Sequence, residues 1–335
     1  MIKTIKRGAI QAVRNCMQIN KKDNVVIITD KATQKVASEI EKESKKITRR
    51  VKLFVLEDYG KRPLKKFPEE IKIALKNSTA SFYMAEINKG EKNVLRKPLM
   101  KFSLTKGRQA HMPNITAKLM RQGMNTNYKK IKKISKKVYK IVSKAKKIKV
   151  STKKGTNLVA TFNSKNDWII ADGDIKNSPV KLSNLPDGEV FTTPKEVNGT
   201  AVVDGCIGDY FIKLGKLKHP IIVKIKKNKV ESIKTKNKSL EKKLRKYIKQ
   251  DQNACKIGEF AIGTNIGLKK IVGNLLQDEK FPGIHIALGD CLGEFTKAKK
   301  CSSKAHLDMV ITKTNIEVDG KEIMRNGKFI KSILK

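Results

Sequence analysis

Two rhythms of apolar and polar positions run along this chain, and the change between them falls near residue 150. In the first part, short unbroken apolar runs alternate with stretches of helical spacing. VVIIT, at residues 25–29, reads as a buried strand, and Ala32, Val36, Ala37 and Ile40 then share one face of a helix. VKLFVL, at 51–56, is the next strand. Pro68 opens a helix whose first turn holds Glu69 and Glu70, where the helix dipole favours carboxylates, and ASFYMAEI, at 80–87, is a third strand. Strand, helix, strand, helix, strand predicts right-handed crossovers and a mainly parallel sheet. Another helix is expected from Pro113. A long one follows over 127–146, where Tyr128, Ile131, Ile134, Val138, Ile141, Val142 and Ala145 form one apolar stripe with lysines opposite.

Beyond residue 150 the runs are short and β-like: KIKVST, NLVATF, WIIADG, GTAVVDG, then IIVKIKKNKVESIK as a hairpin. Asn184, Pro186, Asp187 and Gly188 punctuate them. Ser239 is expected to cap a helix carrying Leu240, Leu244, Tyr247 and Ile248, and a short helix is expected over 268–276. Asp319-Gly320 and Asn326-Gly327 mark hairpin turns near the end. The expected fold class is α/β, with an N-terminal, mainly parallel α/β domain over residues 1–148. A C-terminal β-rich α+β domain over 149–335 would carry the chemistry.

Composition changes this picture in one respect. Hydrophobic residues make up 39% of the 335 positions and fall in periodic runs, which excludes a disordered chain despite 32% charged residues. The formal charge of +44 invites a nucleic-acid partner. Yet 65 of the 75 basic residues are Lys, which lacks the planar fork that reads base edges, and the 5% of aromatics do not interleave with the basic runs. A lysine-rich surface with non-specific, salt-sensitive binding to nucleic acid is the expectation. Five scattered cysteines without a CxxC pair predict neither a disulfide framework nor a cysteine zinc site. No apolar run is long enough for a membrane span, so a reducing cytoplasm is the expected location. No GxGxxG follows the first strand, and dinucleotide binding is not indicated.

The candidate chemistry lies in two runs, GIHIALGD and SSKAHLDMVI. His306 and Asp308 are two apart in a strand-like segment, so both side chains leave one face, roughly 7 Å apart along the backbone. His285, in the neighbouring apolar run, can supply a third ligand if the two strands pair. Two glutamates each follow a glycine in an apolar or turn-like context, Glu189 in NLPDGEVFTTP and Glu259 in KIGEFAIGTN. If either faces the interior it needs a partner, and a metal ion or a lysine would serve.

Taken in order, NLPDGEVFTTP, the Gly-Thr-Ala-Val-Val run, IGEFAIGTN, GIHIALGD and AHLDMVI resemble the thermophilic metallo-aminopeptidase family of aminopeptidases T and S. The resemblance runs from about Gly155 to near Lys328. It implies a metal-dependent aminopeptidase-like hydrolase acting on peptide substrates, and a homodimer. Two divalent ions, cobalt, zinc or manganese, would be held by Glu189, Glu259, His285, His306 and Asp308. Cys291 stands where the family carries a catalytic tyrosine, and a thiol cannot supply that phenolic donor. Lys280 stands where the family carries an asparagine. The same superfamily includes 2,5-dihydroxypyridine dioxygenase, so the alternative is a ring-cleaving enzyme with one Fe(II) on His306, Asp308 and His285 or a glutamate. A third possibility is a basic nucleic-acid-binding protein with a degenerate metal site.

Overall fold

The apolar run Val25–Thr29 is the strand on which a five-stranded parallel sheet is built. It pairs with Val51–Val55 on one side and Ala80–Tyr83 on the other. Arg108–His111 and then Leu182–Asn184 extend the sheet, each in parallel register. The computed structural model describes residues 4–299 and 301–335. All five residues of Val25–Thr29 are buried, as a strand covered on both faces requires. Helices Gln34–Lys45 and Glu69–Lys76 occupy the expected crossovers.

The chain forms two compact units, one of residues up to Lys132 together with Asp172–Asp187, the other of Lys133–Ala171 and Gly188–Lys335. Strand Leu182–Asn184 therefore completes the parallel sheet of the first unit from far along the chain. Its four-residue neighbourhood KLSN has no apolar alternation, so the sequence carries no sign of that pairing.

Two antiparallel sheets make up the second unit. One has eight strands, among them the expected hairpin Ile221–Lys226 with Lys229–Thr235. The turns at Asp319-Gly320 and Asn326-Gly327 have positive φ at both residues, as tight two-residue hairpins demand. The other sheet has five strands in the order His306–Thr312, Gly283–Gly289, Ile257–Gly263, Glu189–Thr192 and Ile169–Ala171. One of its faces presents Phe260, Ile262, Ile284, Ile286, Leu307 and Met309 to the unit's hydrophobic core. Each such side chain contributes about 1.5–3 kcal/mol by leaving water.

Three helix expectations shift. The one expected from Pro113 begins at Ala117, capped by Thr116, whose hydroxyl accepts from the Leu119 amide. The one expected to start at Ser239 is Lys238–Tyr247, capped instead by Asn237, whose side chain accepts from the Leu240 amide at 3.0 Å. The short helix expected over 268–276 is confined to Leu275–Asp278, with Asn274 as its cap.

His111 ends the strand Arg108–His111 in the first unit. Its ring stacks on Tyr83 with centroids 5.1 Å apart, and its Nε2 lies 3.1 Å from Arg96 Nη2. Burial, and then the charge of Arg96, push its pKa down to about 3. A histidine held neutral stabilises the fold fully above its unfolded pKa of about 6.5, and that contribution is lost as pH falls toward the folded value. His111→Phe keeps the ring and removes the titration. Urea unfolding should show it less stable than the wild type at pH 8, with the gap closing by up to about 1.4 kcal/mol per unit between pH 6 and pH 4. A gap independent of pH would show that His111 is not buried in its neutral form.

Candidate metal centre

Side chains alternate across a strand with a period of two, so the five-stranded antiparallel sheet has a second face made of the residues between the core positions. Glu259, Ala287 and Asp308 are register partners in one row across three strands. The next row holds Ala261, His285 and Val310, and Glu189 pairs with Gly263 one row further. His306 pairs with Gly289 at the other end. All five residues singled out by sequence therefore stand on the same face, with small residues between them that leave room for an ion.

Glu259 reaches its row through a bulge. The register slips between Ile257 and Glu259, and Gly258 lies where an added Cβ would come within 2.4 Å of the carbonyl oxygens of Gly289 and Asp290. A bulge re-aims the residue that follows it, and only glycine admits this approach.

Glu189, Glu259, His285 and Asp308 are buried, while the side chain of His306 is 32% exposed and opens the cluster toward solvent. His306 Nε2 is 3.4 Å from Glu259 Oε2 and 3.4 Å from Asp308 Oδ1. His285 Nε2 is 3.4 Å from Glu259 Oε1 and 3.7 Å from Glu189 Oε2. Two donors bound at about 2.1 Å in a tetrahedral arrangement stand about 3.4 Å apart. Among the described residues, Glu259, His306 and Asp308 are the only three such groups whose ligand atoms all lie within 4.8 Å of one another.

The ring orientations fit the same chemistry. His285 Nδ1 lies 3.1 Å from the Glu279 carbonyl and His306 Nδ1 3.1 Å from the Asp290 carbonyl. A carbonyl only accepts, so each Nδ1 donates, and in the neutral ring each Nε2 turns a lone pair toward carboxylates. Lone pair facing lone pair calls for a cation. Burial depresses both imidazoles, yet the carboxylates outweigh it: Glu259 foremost lifts His285 to about 9, and Asp308 foremost lifts His306 well above its ordinary value. Burial likewise opposes ionisation of Glu259, but hydrogen bonds from the two imidazoles hold its carboxyl well below the usual range. The field that favours a proton on Nε2 also favours a divalent ion there.

Two groups escaped the sequence analysis. Glu279, wholly within the cluster, gives its carbonyl to His285 and its carboxylate to Lys280. Tyr247 accepts a hydrogen bond from the His306 amide at 3.1 Å and fixes the start of that strand. Glu279 precedes Lys280 in the run whose departure from the family was read, but nothing local marked its carboxylate or its carbonyl, and Tyr247 was read only as part of a helix's apolar face. The cysteine expectation is also corrected. Cys291 and Cys301 form a disulfide, Cα atoms 5.6 Å apart, closing the loop between the His285 and His306 strands. Cys291 thus holds that loop and has no thiol to offer. The pairing was not legible because the two lie ten positions apart in a segment without a motif that marks a bridge.

No curated protein matches the chain. Wild-type AmpT from Thermus thermophilus is similar in fold, at 16% identity over 97% of this chain and 98% of its own, with a TM-score of 0.72. The 2,5-dihydroxypyridine dioxygenase from Pseudomonas putida is similar at 15% identity over 97% of each chain, with a TM-score of 0.70. At such identities the likeness shows the fold. A family model described as thermophilic metalloprotease (M29) matches residues 114–329, more than half of the chain and every strand that carries the cluster. The resemblance read from the motif order is borne out, and the chain belongs to the thermophilic metalloprotease family.

Proposed function

We propose that this protein is a metal-dependent hydrolase that removes N-terminal residues from peptides, with Glu259, His306 and Asp308 as the ligands of a divalent ion. The observation that carries this is the 3.4 Å spacing of donors around His306 Nε2 on a sheet face otherwise lined by small residues. Membership of a metalloprotease family supports the hydrolytic chemistry, and the likeness to AmpT supports action at a peptide N-terminus. A homodimer and a cytoplasmic location belong to the same proposal. The Cys291–Cys301 bridge is at odds with a reducing compartment, so the cytoplasmic location rests only on the missing apolar run read from the sequence. Among the described residues no helix is long and apolar enough to cross a membrane.

An ion bound there would act as a Lewis acid, polarising a scissile carbonyl and lowering the pKa of a water. The chain's own groups do the rest. His306, oriented by the Asp290 carbonyl and partly exposed, sets the edge at which a substrate enters. His285, anchored on the Glu279 carbonyl, steadies Glu259 from the opposite side. Glu189 Oε2 is buried, makes no hydrogen bond within the protein and faces His285 Nε2 at 3.7 Å, while Oε1 contacts Lys280.

A second reading is ring cleavage by a dioxygenase. It is favoured by the whole-chain likeness to such an enzyme and by a three-donor set for one ion. Oxygen uptake with Fe(II) and dihydroxylated aromatic rings separates the two, since a hydrolase gives none.

Aminoacyl amide substrates should be cleaved with Zn, Co or Mn, and a chelator should abolish the activity. His306→Ala should lower metal affinity by at least ~100-fold, because a direct ligand counts for more than an outer partner. Titration calorimetry checks this, and unchanged affinity would remove His306 from the ligand set.

Non-specific DNA binding should behave independently. The net charge of +44 is carried largely by lysines, so the logarithm of affinity should fall linearly with that of salt concentration. His306→Ala should leave the slope unaltered in a fluorescence anisotropy titration. A slope that changes with the variant would tie nucleic acid to the metal centre.

A further inference from the structure

Lys280 is among the largest fully buried side chains of the protein, 1% exposed, in a chain whose other lysines are solvated almost throughout. A buried amino group persists only where acidic groups compensate it. Here two do: it contacts Glu189 Oε1 directly and lies 2.8 Å from Glu279 Oε1. Both carboxylates belong to the cluster described above, and burial raises the pKa of each while Lys280 opposes that rise.

The backbone delivers Lys280 to this place. Gly263 is the register partner of Glu189, and a Cβ on Gly263 would lie 2.0 Å from the Phe281 carbonyl oxygen and 2.9 Å from the Lys280 carbonyl carbon. The absent side chain is what lets the segment 280–281 press onto the strand beside Glu189. The Lys280 carbonyl also accepts from the Asn265 amide at 3.0 Å, fixing the segment from the other side.

The cluster thus has two unequal halves. In one, Glu259, His306 and Asp308 converge within 4.8 Å with no basic side chain beyond the imidazole among them. In the other, Glu189 and Glu279 already share an amino group, and among the described residues the group of donors close enough together to hold an ion does not include Glu189 or His285. A divalent ion set between Glu189 and His285 would lie beside the Lys280 charge and compete with it for the same carboxylate.

We propose that Lys280 takes the place of a second metal ion, so that the centre binds one divalent ion, on Glu259, His306 and Asp308. This rests on the metal-centre reading above. The Lys280 amino group supplies the positive charge that Glu189 and Glu279 require, but it has no open coordination position. Chemistry at this centre is therefore that of a single ion assisted by a fixed cation, and a water held between two metals plays no part.

Metal-free protein dialysed to equilibrium against Mn(II) should take up one ion per chain by elemental analysis, and its electron paramagnetic resonance spectrum should be that of an isolated Mn(II). Lys280→Ala vacates the second position and should raise the uptake to two, with exchange-coupled signals. Should that variant fail to fold by circular dichroism, Glu189→Gln decides instead, and its uptake should stay at one. Uptake of two coupled ions by the wild type would overturn the role of Lys280 while leaving a metal centre in place. Folded Lys280→Ala that still binds one ion, or Glu189→Gln that binds none, would overturn it too. A wild type that binds no ion would remove the metal-centre reading along with it.

Discussion

The structure depends on the two-residue period of one antiparallel sheet. Residues of even and odd position along Ile257–Gly263, Gly283–Gly289 and His306–Thr312 face opposite ways, apolar side chains into the core and the functional groups onto the other face. A slip of one residue would put Glu259, His285 and Asp308 into the core and expose the isoleucines, so the hydrophobic face fixes the register of the chemical one. The bulge at Gly258 is the one local departure, and it brings Glu259 opposite Ala287 in line with Asp308.

Charge balance is the second constraint. Glu189, Glu259, Glu279 and Asp308 are all buried on or beside this face, and burial alone opposes ionisation of the three glutamates. Imidazoles, the Lys280 amino group and a divalent ion are the available answers. The geometry distributes them: imidazole nitrogens toward Glu259, the amino group toward Glu189 and Glu279, and converging donors around His306 Nε2. The disulfide at Cys291 holds the adjoining loop, whose Asp290 carbonyl orients His306. Structural and chemical roles meet in that short segment.

Much of this was legible in the sequence because strand alternation is a local property. The run around His306 showed by itself that His306 and Asp308 share a face, and the order of motifs identified the family, whereas the facing of Glu259 depends on the bulge at Gly258. The glycines before Glu189 and Glu259 marked them as unusual, and Gly258 proves to be a point of close backbone approach. What stayed hidden depends on contacts between distant segments. Lys280 was visible only as a departure from a motif, because its burial follows from the packing of segment 280–281 on Gly263. The pairing of Leu182–Asn184 with Arg108–His111 and the Cys291–Cys301 bridge likewise have no periodic signature.

The proposed metal centre requires Glu259, His306 and Asp308 to act together as ligands. Anomalous X-ray diffraction at the zinc edge, from crystals soaked in a zinc salt, tests this most directly. One peak within coordination distance of Glu259, His306 and Asp308 is the predicted result. A map without a peak there, or with its strongest peak elsewhere on the protein, would contradict it.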